Sequence, residues 1–179
     1  KDNTNGGMYE GAGSLIHGIS DSFNLKVAYD LASDLKLIVS PGVWVGTTNA
    51  SAQTYGSSYN YFQGASSPTT NPAAYSLDQQ HYMNSVSLQS GGQKDLSWEL
   101  LASNFYYDKN IQRWSDTLNS DGSLNQGATG QIVDYHGTSW TNLDLRSNYK
   151  LNSKHLLSFG LHYDYNKLNV RQGSVPAGQ

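Results

Sequence analysis

The chain has no cysteine in its 179 residues, which excludes a disulfide framework and any thiolate nucleophile or metal ligand. Only 14% of residues are charged and the formal net charge is −3, a balance that argues against nucleic acid as a partner. No apolar run approaches the roughly 20 residues that a membrane-crossing helix needs. The helical template fails throughout: no window of about a dozen residues keeps an i, i+3, i+4, i+7 apolar stripe. There is no Gly-x-Ser-x-Gly elbow or other nucleophile signature, so no catalytic residue is assigned and the chain is read as a non-enzyme. A signal peptide and an initiator Met are also lacking. The chain starts at Lys1-Asp2-Asn3 and stops at Gly178-Gln179 in loop-like composition, and the expectation is a piece excised from a longer protein.

What is plentiful is Gly (18) and Tyr (13), together with Ser, Asn and Thr, while Pro is scarce (4). The strongest pattern lies between Trp140 and Val170. Leu143, Leu145, Tyr149 and Leu151 alternate with Asn142, Asp144, Arg146, Asn148 and Lys150. After the Asn152-Ser153-Lys154 link, Leu157, Phe159, Leu161, Tyr163 and Tyr165 alternate with Ser158, Gly160, His162, Asp164 and Asn166. Period two places each set on its own face of a strand, so this is a hairpin with one apolar and one charged face.

The same alternation recurs upstream. Leu15, Ile19, Phe23, Leu25, Val27 and Tyr29 form one face of a long strand, with a bulge expected near Asp21. Ala32-Ser33-Asp34 turns it, and Leu35, Leu37, Val39, Val43 and Val45 continue past Pro41-Gly42, where a kink is expected. A strand over 81–90 and one from Leu96, reaching to Trp114, complete about six strands. The connections alternate strictly. Short turns at 32–34, 91–94 and 152–154 are separated by long segments at 1–13, 50–80, 115–137 and from 171 onward.

Strands of roughly 12 to 20 residues exceed the usual 5–6 of globular sheets. Long antiparallel strands with short turns at one end and long loops at the other are the signature of an outer-membrane barrel. Lipid takes only about 9–11 residues per strand, so the excess is expected to rise above the membrane. Tyr29, Trp98 and Tyr149 fall near the short turns, and Tyr106, Tyr107, Trp114, Trp140 and Tyr165 toward the long loops, as expected of two aromatic girdles. The mean hydropathy of −0.57 does not oppose this, because half of every barrel strand faces water. A soluble β-sandwich carrying a carbohydrate-binding platform explains the alternation too, but accounts less well for strand length, loop asymmetry and the charged face.

The run Lys154-His155-Leu156-Leu157-Ser158-Phe159-Gly160-Leu161-His162-Tyr163-Asp164-Tyr165, preceded by Trp140-Thr141-Asn142-Leu143-Asp144-Leu145-Arg146-Ser147, resembles barrel hairpins of TonB-dependent outer-membrane receptors. Ser22–Leu31 and Leu96–Asp108 are similar to other strands of that barrel. The likeness covers most of 15–170 and rests on hairpin style rather than on an invariant motif. It implies that residues 1–179 are part of a β-barrel of roughly 22 strands whose lumen holds an N-terminal plug. It also implies residence in the outer membrane of a Gram-negative bacterium and uptake of a scarce ligand, most often a ferric siderophore or similar metal chelate. Energy would come from the TonB–ExbB–ExbD complex acting on the plug. Neither plug nor TonB box is in this chain, so the coupling residues do not carry over. A passive porin is the alternative within the membrane, although the 50–80 segment lacks the charge of a constriction loop.

On such a barrel Lys26, Asp30, Glu99, Asp144, Arg146, His162 and Asp164 face the lumen. They read first as solvation of the wall and cross-strand pairing, with Asp144 and Arg146 adjoining in one network. His162 and Asp164 are too few for a dedicated metal site, and no metal or cofactor is assigned. In the 50–80 segment Tyr55, Tyr59, Tyr61, Phe62 and Tyr75 sit among amides and hydroxyls with almost no charge. That composition suits a planar chelate or a sugar held by stacking and hydrogen bonds, and makes these five the candidate ligand contacts.

Overall fold

The computed structural model describes residues 11–55, 74–91 and 95–178, with the side chains of 11–14 and 52–55 excepted. Among them are nine strands and no helix: β1 (Gly11–Asn24), β2 (Val27–Ala32), β3 (Leu35–Tyr55), β4 (Tyr75–Ser90), β5 (Leu96–Ser115), β6 (Gly130–Asp134), β7 (Ser139–Lys150), β8 (Leu156–Lys167) and β9 (Arg171–Val175). All belong to one antiparallel sheet, and every pairing joins neighbours of an up-and-down meander. The expected six long strands are these nine, three of them interrupted. β1 and β2 pair successively with β3, β6 and β7 with β5, and β9 and β8 with β6 and β7. The sheet is open: β1–β2 forms one edge and β8–β9 the other.

Each interruption has a local cause. Asn24 opposes Gly42 and Val27 opposes Val39, so the first strand keeps its register across Leu25-Lys26 and only the ladder breaks. The gap lies opposite Pro41, which has no N–H to give; Leu25 N still donates to Pro41 O at 3.0 Å. The irregularities therefore sit at Leu25-Lys26 and between Asp30 and Ala32, while Asp21 pairs regularly with Val45.

The second irregularity is shared by three strands. On β5, Lys109 opposes Gln80 and Tyr107 opposes His81, leaving Asp108 as the extra residue of a β-bulge. Beside it the chain bends at Tyr135–Thr138, where Gly137 takes a φ of 85° and Asp134 Oδ1 accepts the His136 N–H at 2.8 Å. The next strand breaks at Leu168–Val170, and Asn169 ties the two bends together. It donates from its backbone to Thr138 Oγ1 at 3.0 Å and from its side chain to His136 O at 2.6 Å. One kink line thus crosses β5, β6–β7 and β8–β9 about twelve residues from the short turns, close to the length of a strand that crosses lipid at a tilt.

Strand pairing assembles the alternating residues into two continuous faces. Tyr29, Leu37, Leu88, Leu100, Leu145 and Leu161 form one row across all six runs, and Val27, Val39, Val86, Ala102, Leu143 and Tyr163 the next. This apolar band covers the sheet between the kink line and the short turns. From Leu96 to Tyr106, at ~3.3 Å per residue and a ~40° tilt, it stands about 25 Å high. Beyond the kink line the same face turns polar, with Asp78 paired to Lys109 at 3.2 Å.

Burial runs opposite to that of a water-soluble sheet. Val86, on a central strand, is 44% exposed, whereas its neighbour Ser87 on the polar face is 7% exposed. The buried apolar residues among those described are Ala50, Ala74, Leu124 and Val133, and none belongs to the band. Among the described residues nothing packs on the apolar face. Each Leu, Val or Phe of that band would contribute about 1.5–3 kcal/mol if fully removed from water.

Candidate functional site

The polar face carries the side chains capable of recognition. It holds the charged residues singled out in the sequence, with Lys36 beside them. Asp144 lies directly opposite His162, and His162 Nδ1 is 2.8 Å from Asp144 Oδ1. His162 Nε2 is 2.8 Å from Asp164 Oδ2, and Asn142 Nδ2 donates to the other oxygen of Asp164. Arg146 is exposed on the same face and forms no ion pair with Asp144. The reason is register: Asp144 faces His162 across the ladder, whereas Arg146 lies one row away, opposite Glu99 and Gly160. Glu99 accepts from Ser87 Oγ at 3.0 Å and Gln89 Nε2 at 2.8 Å. Asp30 pairs with Lys36 at 3.7 Å on the exposed edge.

These contacts are cross-strand pairs of a solvated wall. Both His162 nitrogens are engaged by carboxylates, and among the described residues no group of three or more His, Asp or Glu is arranged to hold a metal ion.

Next to this network lies a feature that the sequence reading placed elsewhere. Trp44, His81 and Tyr107 stack in sequence across β3, β4 and β5, with ring centroids 5.0 and 4.1 Å apart. Phe105 and Trp140 lie parallel at 4.5 Å, and Tyr107 meets Trp140 edge-on at 5.5 Å. His81 is 6% exposed and its Nε2 is 3.2 Å from Asn110 Nδ2. Trp44 also lies over Gly46, where an added Cβ would come within 2.8 Å of the indole.

The five rings form a continuous aromatic belt on the polar face just below the kink line. Tyr107 and Trp140 were expected in an outer girdle, as was Trp114. All three instead share the polar face, Trp114 opposite Tyr75. Parity carries the signal: Trp44 and Trp140 are even where Val43, Val45, Leu143 and Leu145 are odd. The girdle residues that do lie on the apolar face are Tyr29, Trp98, Tyr106, Tyr149 and Tyr165.

Below the belt the polar face holds a depression of about 510 Å³. One wall is Met83, Phe105 and Trp140; the floor includes Ser85, Ser103 and Asn142. Pairing aligns Ser40, Ser85, Ser103, Asn142 and Asp164 in one row, and Ser103 Oγ approaches Asn142 Oδ1 at 3.4 Å. Among the described residues Lys26 is the only charged one lining the depression.

Of the five candidate aromatics between 50 and 80, Tyr75 begins β4 on the polar face, half-buried beside Trp114. Tyr55 ends β3 opposite Gly11, and its side chain lies outside the described residues, as do Tyr59, Tyr61 and Phe62. The strands run further into this segment than expected, β3 to Tyr55 and β4 from Tyr75.

The segment 116–129 is tied together by its own polar groups. Leu118 bridges Leu124, Asp121 accepts from Ser123, and Ser115 Oγ donates to Asn125 O at 2.8 Å. Arg113 caps it by donating to Gln126 O at 2.7 Å and Ala128 O at 3.2 Å. No family model matches the chain, and no curated protein matches it.

Proposed function

We propose that this sheet is a stretch of wall from an outer-membrane β-barrel, part of an active transporter of the TonB-dependent type. The observation that carries the reading is the inverted burial: a six-strand apolar band left uncovered behind a polar face that is partly covered. In lipid the apolar band needs no protein cover, because hydrocarbon replaces the missing core. The band's height of about 25 Å is the thickness such barrels present to the bilayer. Further strands would continue the sheet from the β1–β2 and β8–β9 edges until it closes, which removes the unpaired backbone that lipid does not tolerate. The polar face then lines the lumen, and the strands beyond the kink line rise outside the membrane.

Transport rather than passive diffusion is favoured by the aromatic belt. A water-filled porin has little use for five packed rings on its inner wall, whereas a plug or a bulky cargo presents matching surface. The cargo class implied by the resemblance is a ferric siderophore or similar chelate, met first by the segment carrying Tyr55, Tyr59, Tyr61, Phe62 and Tyr75. Movement would follow rearrangement of the plug, with no covalent step. The test is fractionation of the full-length protein followed by electrophoresis before and after boiling, with iron chelates then screened for binding. Recovery in the outer membrane with a heat-dependent mobility shift is expected. Recovery as a detergent-independent soluble protein would sink the proposal and leave a sugar-binding sandwich in its place.

A further inference from the structure

We infer that the depression below the aromatic belt is a binding station for a neutral saccharide. The inference rests on the reading that the polar face lines a lumen, but it draws on different observations.

The first is the pairing of surfaces. Met83, Phe105 and Trp140 form an apolar wall beside a floor of hydroxyls and an amide, Ser85, Ser103 and Asn142. A pyranose ring has the complementary shape, with C–H faces that pack on aromatic rings and a rim of hydroxyls that both donate and accept. The second is unmet hydrogen-bonding capacity. Ser40 and Ser85 are half-buried, and their hydroxyls take no protein partner among the described residues. Ser103 reaches Asn142 only at 3.4 Å, long for a hydroxyl donor.

The third observation is charge. Among the described residues Lys26 is the only ionised side chain lining the depression, and the carboxylates Asp144 and Asp164 beyond it are engaged with His162. A multiply anionic iron chelate would look for an arginine or lysine cluster, which the described lining of the depression lacks. A neutral polyol needs none. The volume of about 510 Å³ falls within the range of small-ligand sites.

The consequence for transport is specific: the cargo that pauses on this wall carries a sugar, and a chelate without one passes unretained.

The test uses the full-length protein refolded in detergent and titrated with maltohexaose, cellohexaose and chitohexaose, followed by tryptophan emission and calorimetry. A ferric tris-catecholate chelate is titrated in parallel. At least one oligosaccharide is expected to bind and alter the emission. Trp140→Ala should weaken it by more than about tenfold, a loss equivalent to the ~1.4 kcal/mol that an aromatic contact supplies. The paired Ser85→Ala and Ser103→Ala change should weaken it by about three- to tenfold, the scale of lost hydrogen bonds, while Trp140→Phe retains most of it.

The inference is overturned if no oligosaccharide binds, if binding ignores all these changes, or if Trp140→Ala abolishes retention of the chelate instead. A heat-dependent mobility shift, recorded on every variant, tells a misfolded protein from a lost site. Its absence from the unmodified protein would count against the barrel itself.

Discussion

Single residues decide two local matters. Trp44 lies across Gly46 and stacks on His81, so position 46 has no room for a side chain unless the indole moves. Gly46→Val should displace Trp44 from the belt and shift tryptophan emission, with a stability cost of roughly 1–3 kcal/mol from overpacking. An unchanged spectrum would mean that the ring is free to swing. In the segment outside the wall, the Ser123 hydroxyl and backbone N–H hold the Asp121 carboxyl below its ordinary range. The sign follows from that direction. The stabilisation is fully present above the ordinary carboxylate pKa and disappears as pH falls through the lowered folded value. The Ser123 amide resonance should therefore titrate below the usual carboxylate range, and Ser123→Ala should move the midpoint upward.

Strands were the most legible level of this molecule, because period-two alternation is a short-range signal and recurs in each of the six runs. The short turns at 32–34 and 152–154 were equally readable. At the second, Asn152 Oδ1 accepts the backbone N–H groups of Lys154 and His155 at 2.9 and 3.0 Å. Hidden from the sequence was the kink line. A one-residue bulge at Asp108 leaves no compositional trace, and it reverses parity for everything from Lys109 to Ser115. Trp114 moved from the expected girdle to the polar face for this reason. The belt was partly visible, since the parity of Phe105 already set it opposite Leu100 and Ala102. What could not be read was that rings on four strands stand at one level, which depends on register. Register likewise chose His162 over Arg146 as the partner of Asp144. The kink depends on Gly137, whose φ of 85° is costly for any residue with a side chain. Gly137→Val should cost about 1–3 kcal/mol and loosen β6 and β9 before β7 and β8. Hydrogen exchange should show that order, and uniform loosening would deny the kink its role as a boundary.

The whole molecule turns on what covers the apolar band. In water, replacing an already exposed Leu by Arg changes stability by no more than about 0.5 kcal/mol. At the midplane of a bilayer the same change costs about 2–4 kcal/mol. Leu143 and Leu145 sit in the middle rows of the band, so Leu143→Arg and Leu145→Arg in lipid vesicles should show the larger penalty. Lys167, at the upper margin of the same face, should tolerate Arg without loss.

These 179 residues hold no cysteine, and any elsewhere in the full-length protein would first be replaced by serine. Single cysteines placed from Leu156 to Lys167 in the full-length, vesicle-reconstituted protein would carry a spin label, read against a lipid-soluble and a water-soluble relaxant. The account predicts strict alternation: labels at Leu157, Phe159, Leu161, Tyr163 and Tyr165 meet the lipid-soluble relaxant, and those at Ser158, Gly160, His162 and Asp164 meet the aqueous one. Water-soluble access on both sets would place the apolar face in solvent and contradict the barrel.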